Sequence, residues 1–539
     1  MSKLDEIKYN SHIEFEKYWC KVELDFLWWA WDPEKWVNLT GSATKLTINF
    51  PDGRKYIWLI DFGMFQWCEN ALKYNEVLPF KLEDIDFVIA THTHLDHIGK
   101  MLHFSKDEFN GKIITTSINA KVMMIMLKDI IKLQQLEEEK NITPLKKLKN
   151  KVKNLKNLKI PRSKWDDADV DDFDNLISEL EDKLSSIQSE DNEEQKTKEF
   201  FSSKDLNKLL LKINSSDYYE KTEVKNDIEL VFIPAWHLPG SSQAIIKIKV
   251  GKNKFITLWF SGDLWKIKNP AVWWKPEVSK EKFDLYMIES TYAWRFHPEI
   301  QKEENKFIEA VNHAISNNWK IIIPVFMQWR AQEVALYIHK LQKEWKIPNI
   351  PIFYHSDSIW QINNIYKNHY PKIFKKLDKI LKPAVEQKWR DKKYIFENYN
   401  KPAFLLASWW MVSWWTIMSY LWELTDKNNS FIAVWYQAED SLGNEIFTQK
   451  KDKIKYEWTE YSINAKIEKV SLFSWHADEE DLIKIIKKMK FTKDAKIIIN
   501  HWEKSPAQFV FGLALKQIVG KTKDVLFADF EENNYPKNK

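Results

Sequence analysis

Glycine is scarce in this chain, with 11 residues among 539. Average usage of about 7% would give roughly 38. A chain of this length needs many positions with positive φ or close backbone approach, and glycine supplies both because it lacks a Cβ. Tryptophan is correspondingly abundant: its 28 residues are close in number to the missing glycines. The indoles stand in pairs (Trp28-Trp29, Trp409-Trp410, Trp414-Trp415), beside histidines (Trp236-His237, Trp475-His476, His501-Trp502) and at turn-like Trp458. One reading is that many of these letters are glycine codons. UGA is read as glycine in some bacterial lineages, and translating it as tryptophan gives this pattern. The other reading is a tryptophan-rich protein built for aromatic stacking.

Other shortages bound the class. Two cysteines, Cys20 and Cys68, exclude a disulfide framework and suit a reducing compartment. No stretch approaches the roughly 18 apolar residues of a membrane span, and the first 17 residues are charged, with no apolar leader core. A cytoplasmic protein without membrane association is expected. Charge of one sign is also lacking: 81 basic against 77 acidic residues leave a formal net charge of +4. Any basic surface for nucleic acid must therefore be local.

What is present organises into four stretches. Short β runs dominate from about 22 to 120, including Lys45–Phe50 and Tyr56–Ile60 around a Pro51-Asp52-Gly53 turn. A polar, helix-rich insertion follows at about 121–223. Its basic run (Lys146 to Lys159) precedes an acidic one (Asp166 to Asp182), which reads as a helical hairpin of mutually attracting arms or as an arm that guides nucleic acid. Strands resume at Ile228. Beyond Pro298 helix-like and strand-like segments alternate, as in a parallel α/β sheet.

The chemistry concentrates in Thr91-His92-Thr93-His94-Leu95-Asp96-His97, directly after the apolar run Phe87–Ala90. Three imidazoles and a carboxylate so close together suit Zn²⁺. His92 and His94 alternate, so on extended backbone they project to one side and can share an ion. Asp96 and His97, on the turn that follows, can reach a second.

This motif resembles that of the metallo-β-lactamase superfamily. Asp61 in Leu59-Ile-Asp-Phe-Gly63 matches the family's bracing Asp. Ala235-Trp-His237-Leu-Pro-Gly240 matches its next His motif, and Phe260-Ser-Gly-Asp263-Leu-Trp265 its bridging Asp. Both read as family motifs once Trp236 and Trp265 are taken as glycine. A narrower resemblance is to the β-CASP branch, nucleases with an extra α/β domain. It rests on Glu289-Ser-Thr-Tyr292, Ser474-Trp-His476-Ala-Asp478, His501-Trp-Glu503, Pro324 to Glu333 and Ala407 to Trp415. The resemblance implies an α/β fold class: an αββα metallo-β-lactamase sandwich with an inserted α/β β-CASP domain. The chain then divides into the first part of the lactamase domain (1–300, carrying the insertion), the β-CASP domain (301–460) and a C-terminal return (461–539).

The roles implied by the resemblance are specific. Two Zn²⁺ would be held, one by His92, His94 and His237, the other by Asp96, His97 and His501, with Asp263 between them. The pair would lower the pKa of a shared water and so supply a hydroxide for attack on a phosphodiester. Asp96 would also orient that nucleophile. His476 would act as general acid or phosphate contact, with Glu289 holding its tautomer. Asp61 is expected as structural support, and Arg330, Ser408 and Ser413 as RNA contacts. His297 and His355 receive no role. His501 favours RNA over DNA, since DNA-processing members usually carry Val there. Phrases such as Asp61-Phe-Gly-Met-Phe-Gln66 resemble relatives of the pre-mRNA 3′-end endonuclease more than ribonuclease J. The expected activity is zinc-dependent RNA cleavage, endonucleolytic first. A 5′ exoribonuclease, a catalytically inactive RNA-processing scaffold and a small-molecule metallohydrolase are the alternatives. A homodimer is an option, as in relatives.

Overall fold

The computed structural model describes residues 8–28, 31–32, 37–38, 41–65, 75, 78–132, 134–135, 201–269, 271–272, 274–293, 296–326, 328–356, 358–388, 391–408, 415–434, 437, 441–448, 451–456, 459–473, 476–500, 506–520 and 523–528. Two sheets face each other. The seven-stranded sheet runs in the order Ile213–Ser216, Lys112–Thr116, Phe87–Ile89, Lys55–Ile60, Ala43–Asn49, Cys20–Trp28, His12–Lys17. The eight-stranded sheet runs Lys8–Asn10, Asp524–Ala528, Lys490–Asn500, Lys282–Glu289, Lys254–Phe260, Ser242–Gly251, Ile228–Pro234, Lys221–Lys225.

Alternation along the strands explains the packing. In Cys20–Trp28, Val22, Leu24 and Phe26 are buried while Glu23 and Asp25 are only partly covered. The buried set meets Leu230, Ile246, Leu258 and Leu285 of the opposite sheet in one core. Successive strand residues point to opposite faces, so each sheet offers one apolar face to its partner. Both outer faces carry helices. Leu482 and Ile486 of Glu479–Ile486 and Phe511 of Pro506–Val519 cover the eight-stranded sheet. Ile98, Leu102, Val122 and Leu127 cover the seven-stranded one. This is the expected αββα sandwich.

A third, six-stranded sheet is parallel throughout: Leu381–Pro383, Ile352–His355, Phe404–Ala407, Lys320–Pro324, Asn429–Ala433, Lys466–Lys469. Its inner strands Phe404–Ala407 and Lys320–Pro324 read as near-continuous apolar runs, as strands buried on both faces do. The helices Ile300–Ser316, Arg330–Lys343, Ile359–His369 and Pro371–Ile380 accompany it.

Two boundaries differ from the sequence expectation. The six-stranded sheet extends past 460, because Lys466–Lys469 pairs in parallel with Asn429–Ala433. The stretch to 223 is not helical to its end. After the capped helix Ser203–Leu210, Ile213–Ser216 pairs with Lys112–Thr116, and Lys221–Lys225 pairs with Ile228–Pro234. Alternating Lys, Thr, Glu, Val and Lys suit an edge strand better than a helix. The charged runs at 136–200 lie outside the described residues. Among the described residues no helix is long and apolar enough to cross a membrane.

Candidate metal centre

The His loop begins where the buried strand Phe87–Ile89 ends. Asp61, at the end of the neighbouring strand, fixes it. One carboxylate oxygen accepts the Thr91 amide at 2.7 Å; the other accepts the Thr91 hydroxyl and His97 Nδ1, each at 2.8 Å. Asp61 has φ 60°, a conformation that Asp tolerates better than most residues. With Nδ1 on Asp61, His97 turns Nε2 inward, and this is how an outer carboxylate sets a ligand's tautomer. Gly63 makes the approach possible: a Cβ there would lie 1.7 Å from the Asp96 carbonyl oxygen.

Four ligand atoms, from His92, His94, His237 and Asp263, lie within 4.8 Å of one another, all buried. His94 Nδ1 is 3.1 Å from His92 Nε2 and 3.2 Å from His237 Nε2. Asp263 divides its oxygens. Oδ2 faces His92 Nε2 at 3.5 Å and His237 Nε2 at 3.6 Å, while Oδ1 faces His97 Nε2 at 3.4 Å. Asp96 Oδ2 lies 3.8 Å from that same nitrogen. Burial, reinforced by His97 and His476, holds His94 and His237 far below the usual imidazole range, so both offer lone pairs. Burial would lower His97 too, but Asp263, Asp61 and Asp96 outweigh it and raise it. Imidazole nitrogens and a carboxylate converging in a dry site form a metal-binding cluster, and their donor chemistry fits Zn²⁺.

Beside this cluster stands a carboxylate–imidazole pair. Glu289 closes the strand Lys282–Glu289 and accepts the Leu264 and Thr291 amides at 2.9 and 3.1 Å. His476 Nδ1 sits 3.0 Å from the same carboxylate, and its Nε2 lies 3.9 Å from Asp263 Oδ2. Burial pulls His476 down, but Glu289 and then Asp263 push it up to about 9.

The structure thus brings together His92, His94, Asp96, His97, His237, Asp263, Glu289, His476 and Asp61. His501 and Ser413 lie outside the described residues. Asn500 borders the same cavity as His97 and Asp263. Arg330 and Ser408, the expected RNA contacts, are both buried in this structure. Arg330 is 2% exposed and hydrogen-bonded to Glu333, and Ser408 is 5% exposed with its hydroxyl on Thr416. Sequence reasoning missed Gln328, a buried residue of the six-stranded-sheet unit whose amide bonds Thr93 of the His loop and the Tyr366 hydroxyl. Its only sequence signal was a place within Pro324 to Glu333.

Three family descriptions match segments of this chain: the metallo-β-lactamase superfamily at 59–177, the Beta-Casp domain at 331–446, and the Zn-dependent metallo-hydrolase RNA specificity domain at 460–508. This chain is a β-CASP member of the metallo-β-lactamase superfamily. An RNase J-like protein of Methanocaldococcus jannaschii is 28% identical over 56% of this chain and 70% of its own length. Transcription termination factor FttA of the same organism is 25% identical over 87% of this chain and 67% of its own length. Ribonuclease TTHA0252 of Thermus thermophilus is 24% identical over 83% and 88%. The chain spans 60% of the FttA of Methanothermobacter thermautotrophicus.

Tryptophans crowd the seam between the β-CASP domain and the lactamase sandwich. Trp274 stacks on Trp236 and on Trp329, with ring centroids 4.8 Å apart in each pair. Trp236 has φ 58°; Trp329 has φ 71° and ψ −37°. Trp19 (φ 65°) and Trp345 (φ 58°) share the left-handed conformation and are 81% and 91% exposed. Trp19 ends a two-residue hairpin turn after Tyr18, itself at φ 55°. Trp345 follows the helix Arg330–Lys343, where the Lys346 amide returns to the Leu341 carbonyl. These are positions that glycine ordinarily fills. Trp58 differs: it is fully buried mid-strand and packs on Phe87. Trp409, Trp410, Trp414, Trp475, Trp502 and the side chain of Trp415 lie outside the described residues.

Proposed function

We propose that this β-CASP protein is a zinc-dependent ribonuclease that hydrolyses RNA phosphodiester bonds with two Zn²⁺. The observation that carries this reading is the division of Asp263: one oxygen toward His92 and His237, the other toward His97. A carboxylate so placed can bridge two cations. His92, His94 and His237 would hold one; Asp96, His97 and His501 would hold the other. Bound there, the cations would activate a water near neutral pH and neutralise charge on the phosphoryl oxygens.

The chain's own residues supply the rest. Asp61 fixes which His97 nitrogen faces the site. Asp96, partly exposed and 3.8 Å from His97 Nε2, would accept a hydrogen bond from the attacking water. Glu289 keeps His476 protonated and aims Nε2 at the site. His476 then gives that proton to the departing 3′-oxygen, leaving a 5′-phosphate on the other product. Every described ligand comes from one chain, so a homodimer would not need to share the centre. The RNA specificity domain description and the ribonuclease names of relatives support RNA as substrate.

Endonucleolytic action is part of this proposal. The test uses a circular RNA, which has no 5′ end. Linearisation by the wild-type protein supports the endonuclease. Degradation of linear 5′-monophosphorylated RNA with the circle intact would overturn it in favour of a 5′ exonuclease. Inertness toward both would overturn the ribonuclease.

A further inference from the structure

We infer that His297 is a positioning residue for His476, acting on its backbone carbonyl. This rests on the proposed role of His476. The His297 ring donates from Nε2 to the His476 carbonyl oxygen at 2.8 Å. A carbonyl can only accept, so the tautomer is fixed. The His297 amide donates to Asp478 Oδ2 at 3.0 Å. Asp478 in turn caps Glu479–Ile486 through its side chain. Tyr292 lies against both imidazoles, parallel to His476 within 8° at 6.1 Å and stacked on His297 at 5.4 Å. It also forms a parallel β-bridge with Asp478.

The geometry makes Glu289 and His297 the two jaws of a clamp. At one end Glu289 grips the His476 ring; at the other His297 grips its carbonyl. The His476 backbone also forms an isolated antiparallel bridge with Trp265, and the Ala477 amide donates to the Leu264 carbonyl, next to Asp263. The ring is thus fixed by Glu289, and the backbone that carries it is held by His297 and by this bridge. Burial and the nearby Lys266 ammonium hold His297 down to about 4, so it stays a neutral donor across the working range. A general acid must meet its leaving oxygen within hydrogen-bond reach, and a displacement near 1 Å costs on the order of 10²-fold. Among the described residues, the hydrogen-bond and ring partners of His297 are His476, Asp478 and Tyr292, none of them assigned to the metals, so its loss would leave metal binding intact.

The experiment compares His297→Gln, His297→Asn, His297→Phe and His476→Ala on RNA and on bis(p-nitrophenyl) phosphate. The second substrate has a leaving group too acidic to need a general acid. A Gln amide reaches the place of Nε2; an Asn amide does not. The expected result is near-wild-type kcat on RNA for Gln. For Asn and Phe we expect kcat reduced on the order of 10- to 100-fold, with KM, zinc content and hydrolysis of the activated ester unchanged. Equal loss on both substrates, or loss of zinc, would make His297 merely structural. Unchanged RNA turnover in Asn and Phe, with His476→Ala impaired, would overturn the role of His297 alone. Unchanged turnover in His476→Ala would overturn both readings.

Discussion

Replacing Trp345 or Trp19 by glycine should stabilise the protein, an outcome that truncating a large aromatic seldom gives. Both residues adopt positive φ. For a residue with a Cβ this costs roughly 1–2 kcal/mol. Against that stands burial. A fully buried Trp contributes about 4–6 kcal/mol if ~150–250 Å² is removed from water at ~25 cal/mol/Å². Trp345 is 91% exposed and Trp19 81% exposed, so only a small part of that is realised. Glycine's extra unfolded-state freedom takes back about 0.5–1 kcal/mol. The balance favours glycine by up to about 1 kcal/mol per site, read as a higher midpoint in urea with an unchanged slope. Trp58→Gly is the control: fully buried mid-strand with no strain to relieve, it should cost about 3–5 kcal/mol. Destabilisation of both Trp345→Gly and Trp19→Gly by 0.5 kcal/mol or more (about half the expected gain) would refute the reasoning. The matching observation in the gene is UGA at 19, 236, 329 and 345 and UGG at 58; UGG at all five would end the recoding account.

Three further outcomes are expected. The double variant Trp236→Gly/Trp329→Gly should raise RNA cleavage relative to the chain as written, because it relieves positive φ at both positions and removes the two indoles that stack on Trp274, one of them next to His237 in sequence; falling activity with intact zinc content would contradict this. Asp61→Asn should weaken zinc affinity about 10- to 100-fold, measured by chelator competition, because His97 Nδ1 loses its carboxylate. His476 is raised to about 9, mainly against burial by Glu289. As a general acid it works when protonated, so RNA turnover should fall as pH rises through that value, and Glu289→Gln should move the fall to lower pH.

Much of the site was legible because its donors are local in sequence. His92, His94, Asp96 and His97 share one loop, and alternation after an apolar strand fixes their common direction. His237, Asp263, Glu289 and His476 come from distant segments; nothing in spacing alone joins them, and the family resemblance did. The inward turn of Arg330 was not legible, because a motif letter does not say whether its partner is Glu333 or a phosphate. The edge strands Ile213–Ser216 and Lys221–Lys225 were hidden by polar composition: an edge strand need not carry an apolar run. Lys466–Lys469 was missed for the same reason, as four residues with one buried Ile give little periodicity. His297 acts through another residue's backbone, a role that leaves no signature of its own.

The most direct measurement is zinc content per chain together with RNA cleavage, in the wild type and in Asp263→Asn. The account predicts two zinc ions and cleavage in the wild type. In the variant it predicts loss of at least one ion and a fall in kcat on the order of 10²-fold or more, with the fold retained by circular dichroism. A wild type that cleaves RNA without zinc, or an Asp263→Asn variant that keeps both ions and full activity, would contradict it.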